Sequence, residues 1–202
     1  MRLDRFYLIV GDVARLAALV PLGVRLVQLR LKDQSAAETH RQIALAREIC
    51  ATHGAQLVVN DHWQAAIALG CDAVHLGQED MDTADFAALR RHGIRYGLST
   101  HDTAELERAL ALEPAYVALG PVYPTLLKQM KWGPQGLDRV RAWKARAGAT
   151  PLVGIGGLTP DRLPDLFAAG ADSAAVVTDI QQAADLAARC REWLAATRVP
   201  QP

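Results

Sequence analysis

Short apolar runs alternate along the chain with longer segments in which apolar residues recur every three or four positions. The runs predict strands at Phe6–Val10, Leu26–Leu31, Gln56–Asn60, Ala73–Gly77, Arg95–Thr100, Tyr116–Pro121, Leu152–Gly157 and Ser173–Thr178. Between them lie helical patterns, such as Ile43, Ala46 and Cys50, or Ala183, Leu186, Cys190, Trp193 and Leu194. Regular strand-helix alternation implies parallel pairing, and no insertion is large enough for a second domain. The expected fold is α/β, a single-domain (β/α)8 TIM barrel over residues 1–202. A doubly wound open sheet is the alternative, because periodicity does not reveal whether a sheet closes on itself.

In a barrel, chemistry belongs at the carboxyl ends of the strands, and there this sequence stops being apolar. The chain is organised around Ala73-Val-His-Leu-Gly-Gln-Glu-Asp80, a run of strand character that ends in acids. Upstream, Gln56-Leu-Val-Val-Asn60-Asp61 has the same form. Two successive strands each delivering an aspartate place hard oxygens close together, as a Mg²⁺ that also binds substrate phosphates requires. Asp61 and Asp80 are the expected ligands. Asp82 and Asp85 are better explained as cap and first-turn acid of a helix over Ala84–Arg91. His75 reads as a satisfied interior histidine, since a phosphate-bound Mg²⁺ prefers oxygen.

The second strand carries Gln28, Arg30 and Lys32 at alternate positions, with Val27, Leu29 and Leu31 on the opposite face. Three long polar side chains on one face of a buried strand are costly unless they line a wet, charged mouth, so they mark an anion site.

Composition narrows the partners. The 22 Lys and Arg balance 22 Asp and Glu, which argues against nucleic acid or a membrane surface as the main partner and leaves phosphate binding to local charge placement. The three cysteines, Cys50, Cys71 and Cys190, are scattered without metal-type spacing, as in a reducing cytosol. No apolar run approaches membrane length and the N-terminus lacks a signal-peptide pattern, so the expected location is cytoplasmic. Small-molecule partners are expected, and a homo-oligomer is compatible with the sequence.

The remaining strand ends add phosphate chemistry. Ser99 lies on the fifth strand and could reach a ligand, whereas Thr100 and Asp102 suit helix caps. The irregular segment 121–136 is the expected lid, with Thr125 and Lys128 placed to grip phosphate. The seventh strand ends in Gly154-Ile-Gly156-Gly157-Leu-Thr159-Pro160, where glycines would let phosphate approach backbone N–H groups, with Thr159 as cap and Pro160 at the first helical position. The eighth strand ends in Val177-Thr178-Asp179, whose backbone and hydroxyl could complete that site. Residues 197–202 are expected to form a loose tail.

Together, Gln28-Leu-Arg-Leu-Lys32, Val59-Asn-Asp61, His75-Leu-Gly-Gln-Glu-Asp80, Gly97-Leu-Ser-Thr-His101, Gly120-Pro-Val-Tyr-Pro-Thr125 and Gly154-Ile-Gly-Gly157 resemble, in order and spacing, the thiamine phosphate synthase family. The resemblance implies a transferase joining 4-amino-2-methyl-5-hydroxymethylpyrimidine diphosphate to thiazole phosphate, with release of pyrophosphate. It implies that Gln28, Arg30, Lys32 and Asn60 hold the pyrimidine diphosphate. Ser99 would contact the pyrimidine and Lys128 its diphosphate, while Asp61 and Asp80 would ligate Mg²⁺. Thr125, Leu127, Gly157, Val177 and Thr178 would cradle the thiazole phosphate. Arg30, Lys32, Ser99 and Lys128 would be the catalytic set. The implied chemistry is dissociative, with a pyrimidine-stabilised carbocation trapped by the thiazole nitrogen.

Two positions depart from the family pattern. Where Pro-Thr-x-Thr-Lys is usual, this chain has Pro124-Thr125-Leu126-Leu127-Lys128, so a hydroxyl is missing at Leu127. A small residue usually follows the eighth-strand hydroxyl, and here Asp179 stands there. The expectation is weaker or rearranged thiazole-phosphate binding, with Asp179 capping the last helix. A thiazole tautomerase-like paralogue would not need Arg30, Lys32, Asp61, Asp80 and Lys128, and would carry a histidine where Pro121 stands. A non-catalytic sensor of thiamine phosphates would be marked by a lost catalytic group, and none is evident.

Overall fold

The computed structural model describes residues 3–125 and 133–198. Eight parallel strands close into a barrel in sequence order: β1 (Phe6–Val10), β2 (Leu26–Leu29), β3 (Gln56–Asn60), β4 (Ala73–Leu76), β5 (Arg95–Thr100), β6 (Tyr116–Leu119), β7 (Leu152–Ile155) and β8 (Ser173–Val176). Closure is decided by β1 pairing with β8, Phe6 opposite Ala174 and Leu8 opposite Val176. That pairing excludes the open sheet. Ser173 Oγ donates to the Asp4 carbonyl at 2.7 Å, adding a side-chain tie across the same seam.

Helices follow the strands: α1 (Val13–Leu19), α2 (Ala36–His53), α3 (Trp63–Ala68), α4 (Gln78–Met81), α5 (Phe86–Arg91), α6 (Thr103–Leu110), α7 (Gly136–Ala147), α8 (Leu163–Ala168), α9 (Thr178–Gln181) and α10 (Leu186–Arg198). Their starts follow local chemistry: Asp12, Ser35, Asp85 and Asp102 accept from backbone N–H groups of the first turns of α1, α2, α5 and α6. Among the described residues no helix is long and apolar enough to cross a membrane.

Alternate strand residues divide the apolar chain into two sets. One set faces the helices: Val27, Leu29, Val59, Val74, Leu76 and Leu98 pack there with Ile43, Ala46 and Cys50 of α2 and Trp193 of α10. The Phe6 and Trp193 rings stack at 5.7 Å between centroids. The other set, including Tyr7, Leu26, Val58, Ala73, Tyr116, Val153 and Ala175, fills the barrel interior. The three cysteines are buried free thiols.

Five predicted strands ran one or two residues too far. β2, β4, β6, β7 and β8 stop at Leu29, Leu76, Leu119, Ile155 and Val176 because the chain turns as it leaves the barrel rim. Gly156 turns with φ +97°, while Gln78 and Thr178 already open α4 and α9. The helix expected over Ala84–Arg91 is α5, capped by Asp85. Asp82 instead ends α4 and pairs with Arg108 at 2.6 Å. Thr100 is not a cap either: its buried hydroxyl donates to the Ala118 carbonyl and accepts from Trp143 Nε1, each at 2.9 Å.

Candidate active site

The carboxyl ends of β2, β3 and β4 bring the predicted charged residues together. Beyond β2, Arg30 and Lys32 are exposed, and Lys32 Nζ lies 2.5 Å from Asp61 Oδ2. Asp61 turns out of β3 with φ +62°, a left-handed conformation that aspartate tolerates better than most residues. Its N–H donates to the His75 carbonyl at 2.9 Å, fastening the turn to β4. Asp80 reaches the same place from α4, where its carboxylate accepts from Gly77 N–H at 3.0 Å and also contacts the Asp61 carboxyl. Burial and then the Asp61 charge push the Asp80 carboxyl above the usual carboxylate range. Asp80 thus has both a structural contact and a like-charged neighbour that a cation would neutralise. Among the described residues there is no group of three or more His, Cys, Asp or Glu able to hold a metal ion, so the pair is not part of a larger protein cage.

Gln28 departs from the expected wet triplet. It is buried one step deeper in the barrel and donates from Nε2 to the Tyr7 hydroxyl at 2.8 Å. Tyr7 Oη and Tyr116 Oη are 2.8 Å apart, and Tyr116 Oη lies 2.9 Å from His75 Nδ1. The opposite ring nitrogen of His75, Nε2, lies 2.8 Å from Ser99 Oγ. Burial pushes the His75 pKa down to about 4, opposed by Asp61 and reinforced by Arg30, so the ring is neutral at physiological pH. The expectation of a satisfied interior histidine holds, and Ser99 is its partner at the mouth. Asn60 is buried at the end of β3, in register with His75.

Sequence reasoning missed Tyr7 and Tyr116, which join these residues. Their signal was present: both are hydroxyl-bearing aromatics at inward-facing strand positions, where a phenol must find a partner.

On the opposite side of the mouth, Gly156 and Gly157 have positive φ. Their need for glycine comes first from packing, because a β-carbon would lie 2.6 Å from Pro121 at Gly156 and 2.4 Å from the Pro124 carbonyl at Gly157. Val122 and Tyr123 donate backbone N–H groups to Ile155 and Gly156, which binds the start of segment 121–136 to the end of β7. Arg162, another residue missed, donates to the Gly157 carbonyl and covers the Tyr123 ring at 4.6 Å. Thr159 precedes the 3-10 turn Pro160–Arg162 as predicted. Thr125 is half-buried; Leu127, Lys128 and Trp132 lie outside the described residues, as does most of the predicted tail 197–202.

Val177 precedes α9 and Thr178 opens it. Asp179 does not cap α10; Asp185 accepts from Ala188 N–H there at 2.9 Å. The Asp179 carboxylate instead takes a two-pronged contact from Arg189, at 2.8 and 2.9 Å, and a 2.6 Å bond from Trp193 Nε1. His101 Nδ1 lies 2.8 Å from Glu105 Oε2, and that same oxygen accepts from the His101 N–H at 2.7 Å.

The family model described as thiamine monophosphate synthase matches residues 6–180. The chain belongs to that family. It is 57% identical over 197 residues to the thiamine-phosphate synthase of Rhizobium etli, covering 98% of this chain and 97% of that one. It is 45% identical over 181 residues to the thiamine-phosphate synthase of Neisseria meningitidis, covering 90% and 88% of the two chains. Among solved structures, a thiamine phosphate pyrophosphorylase from Pyrococcus furiosus superimposes with a TM-score of 0.84 over 96% of this chain and 95% of that one, at 24% identity. That likeness speaks for the barrel; the sequence relatives speak for the activity.

Proposed function

We propose that this member of the thiamine monophosphate synthase family, a transferase, joins 4-amino-2-methyl-5-hydroxymethylpyrimidine diphosphate to thiazole phosphate at the barrel mouth. The observation that carries the reading is the convergence of Arg30, Lys32, Asp61 and Asp80 on one rim, in a chain 57% identical to a thiamine-phosphate synthase along nearly its whole length.

The Asp61 and Asp80 pair fits Mg²⁺. Two hard oxygen donors meet where burial and then the Asp61 charge hold Asp80 protonation-prone, and a divalent cation would relieve the repulsion between the two carboxylates. When bound with the diphosphate, the metal would help neutralise the charge that builds on the leaving pyrophosphate. Arg30 and Lys32 would meet the same charge from β2, with Lys128 joining them from segment 121–136. The methylene–oxygen bond breaks and its electron pair leaves with pyrophosphate. The resulting cation is delocalised into the pyrimidine ring, held by Gln28, Asn60 and Ser99, and the thiazole nitrogen lone pair forms the new C–N bond. Thr125, Leu127, Gly157, Val177 and Thr178 would hold the thiazole phosphate so that this nitrogen faces the cation. No activated protein nucleophile is needed; positioning and electrostatics carry the reaction.

The test is turnover of the two substrates with Mg²⁺, following thiamine phosphate and pyrophosphate, beside an Asp80→Ala variant. Magnesium-dependent product that the variant largely loses is the expected result. Product formed equally well by the variant would remove Asp80 from the metal site, and absence of product from folded wild-type protein would remove the reading itself.

A further inference from the structure

The barrel interior holds one continuous polar chain whose protons can be counted. It runs from Gln28 Nε2 to Tyr7 Oη, Tyr116 Oη, His75 Nδ1 and, across the ring, from His75 Nε2 to Ser99 Oγ. Gln28 can only donate through Nε2, while each phenol has one proton to give. If His75 carried a proton on Nδ1, that N–H would point at Tyr116 Oη. Tyr116 would then donate to Tyr7, and the Tyr7 proton, facing only the Gln28 donor and a donating Tyr116, would be left without an acceptor. Tyr7 and Tyr116 are buried, so that orphan proton forfeits a hydrogen bond with no water to replace it. A doubly protonated ring leads to the same orphan. In the opposite direction every proton is satisfied: Gln28 donates to Tyr7, Tyr7 to Tyr116, and Tyr116 to an unprotonated Nδ1.

We propose that Tyr7 and Tyr116 are positioning residues that hold His75 in the Nε2–H tautomer, so that Ser99 Oγ accepts from the ring and its own hydroxyl proton is turned to the mouth. Ser99 thereby becomes an oriented donor, suited to a ring nitrogen or another lone pair on the substrate. Gly97 makes room for this device: a β-carbon there would lie 1.9 Å from Tyr116 Cζ, inside the phenol ring. The stacking of His75 on Tyr116, with rings 13° from parallel, sets the imidazole plane. The fixed tautomer follows from the chain with the Gln28 amide placed Nε2 toward Tyr7; its use on the pyrimidine rests on the function proposed above.

The test is ¹⁵N NMR of histidine-labelled protein near neutral pH, reading the two ring nitrogens of His75. Wild-type protein is expected to show a pyrrole-type Nε2 and a pyridine-type Nδ1. Tyr116→Phe removes the only proton given to Nδ1 and should move the Nδ1 resonance toward that of a pyridine-type nitrogen that accepts no hydrogen bond, while Tyr7→Phe, which leaves Tyr116 free to donate, should keep the wild-type pattern. A pyrrole-type Nδ1 in wild-type protein, or a Tyr116→Phe spectrum unchanged from wild type, would overturn the proposal. The wild-type spectrum decides the matter even if Tyr116→Phe fails to fold. In turnover, Tyr116→Phe should lower kcat/KM for the pyrimidine diphosphate about tenfold without changing KM for the thiazole phosphate. If Ser99→Ala turns over normally while the tautomer is as stated, the Ser99 role proposed above fails and the proton chain stands.

Discussion

Gly97 and Tyr116 are paired across β5 and β6, and the phenol ring of Tyr116 occupies the space that a β-carbon on Gly97 would need. The contact places the Tyr116 hydroxyl between Tyr7 and His75, so a backbone choice on one strand sets a polar network that ends at the mouth. Gly97→Ala should displace the ring and leave buried polar groups unpaired, at a cost of about 3 kcal/mol or more. Chemical denaturation measures it, and a loss below about 1 kcal/mol would show that the ring moves aside easily.

Asp80 gives a metal-linked prediction. In metal-free protein its charge is disfavoured by burial and by Asp61. Asp80→Asn should therefore raise the Tm of metal-free protein slightly, by less than about 1 kcal/mol in stability after allowance for solvent screening, and should abolish the further rise that Mg²⁺ produces in wild type. Thermal unfolding with and without Mg²⁺ is the measurement. A variant that still responds to Mg²⁺ like wild type would exclude Asp80 as a ligand.

His75 links stability to pH. Its pKa falls from an ordinary 6.5 to about 4 in the folded protein. A histidine kept neutral by burial binds fewer protons folded than unfolded between those values, so its contribution is fully present above pH 6.5 and is lost as pH falls toward 4. The amount is on the order of 3 kcal/mol. Unfolding free energies of metal-free wild type and His75→Gln across this window should converge toward acid, and parallel curves would refute the assignment.

Asp179 is an anchor for α10. Asp179→Ala leaves Arg189 with Glu192 as its remaining carboxylate partner and Trp193 Nε1 without an acceptor. It should cost about 2 kcal/mol by urea denaturation. Thiazole-phosphate KM should change little, because the carboxylate is held by α10; a large fall in that KM would mean that its charge reaches the phosphate.

Arg30 is exposed at the mouth and makes no ion pair among the described residues. Arg30→Ala should therefore leave stability within about 0.5 kcal/mol of wild type. It should lower kcat/KM for the pyrimidine diphosphate by about 10- to 100-fold, the worth of a lost charge-assisted contact. Unchanged kinetics would take Arg30 out of the diphosphate site.

The order of strands and helices, the charged rim and the family motifs were legible because they are written locally. Apolar periodicity reports a strand or a helix, and Arg30, Lys32, Asp61 and Asp80 all lie within four residues of the end of an apolar strand. Apart from Arg30, the excess residues assigned to five strands were apolar or small, and nothing local announces where neighbouring strands stop pairing at a rim. Asp82 and Asp85 illustrate the same limit, since either suits a helix start until the chain path makes one the cap of α5 and the other a partner for Arg108.

Tertiary structure alone decided barrel closure, the burial of Gln28 and the partners of Asp179. It also decided why Gly97, Gly156 and Gly157 must be glycines. Each of these depends on what residues distant in the chain bring into contact: β8 against β1, Tyr7 against Gln28, α10 against the turn after β8, and the Pro121–Pro124 segment against the end of β7. The sequence by itself determined which chemistry was available to this protein, because side-chain type and strand period are local properties. Where the protons and charges of that chemistry point was decided by packing, which is not local.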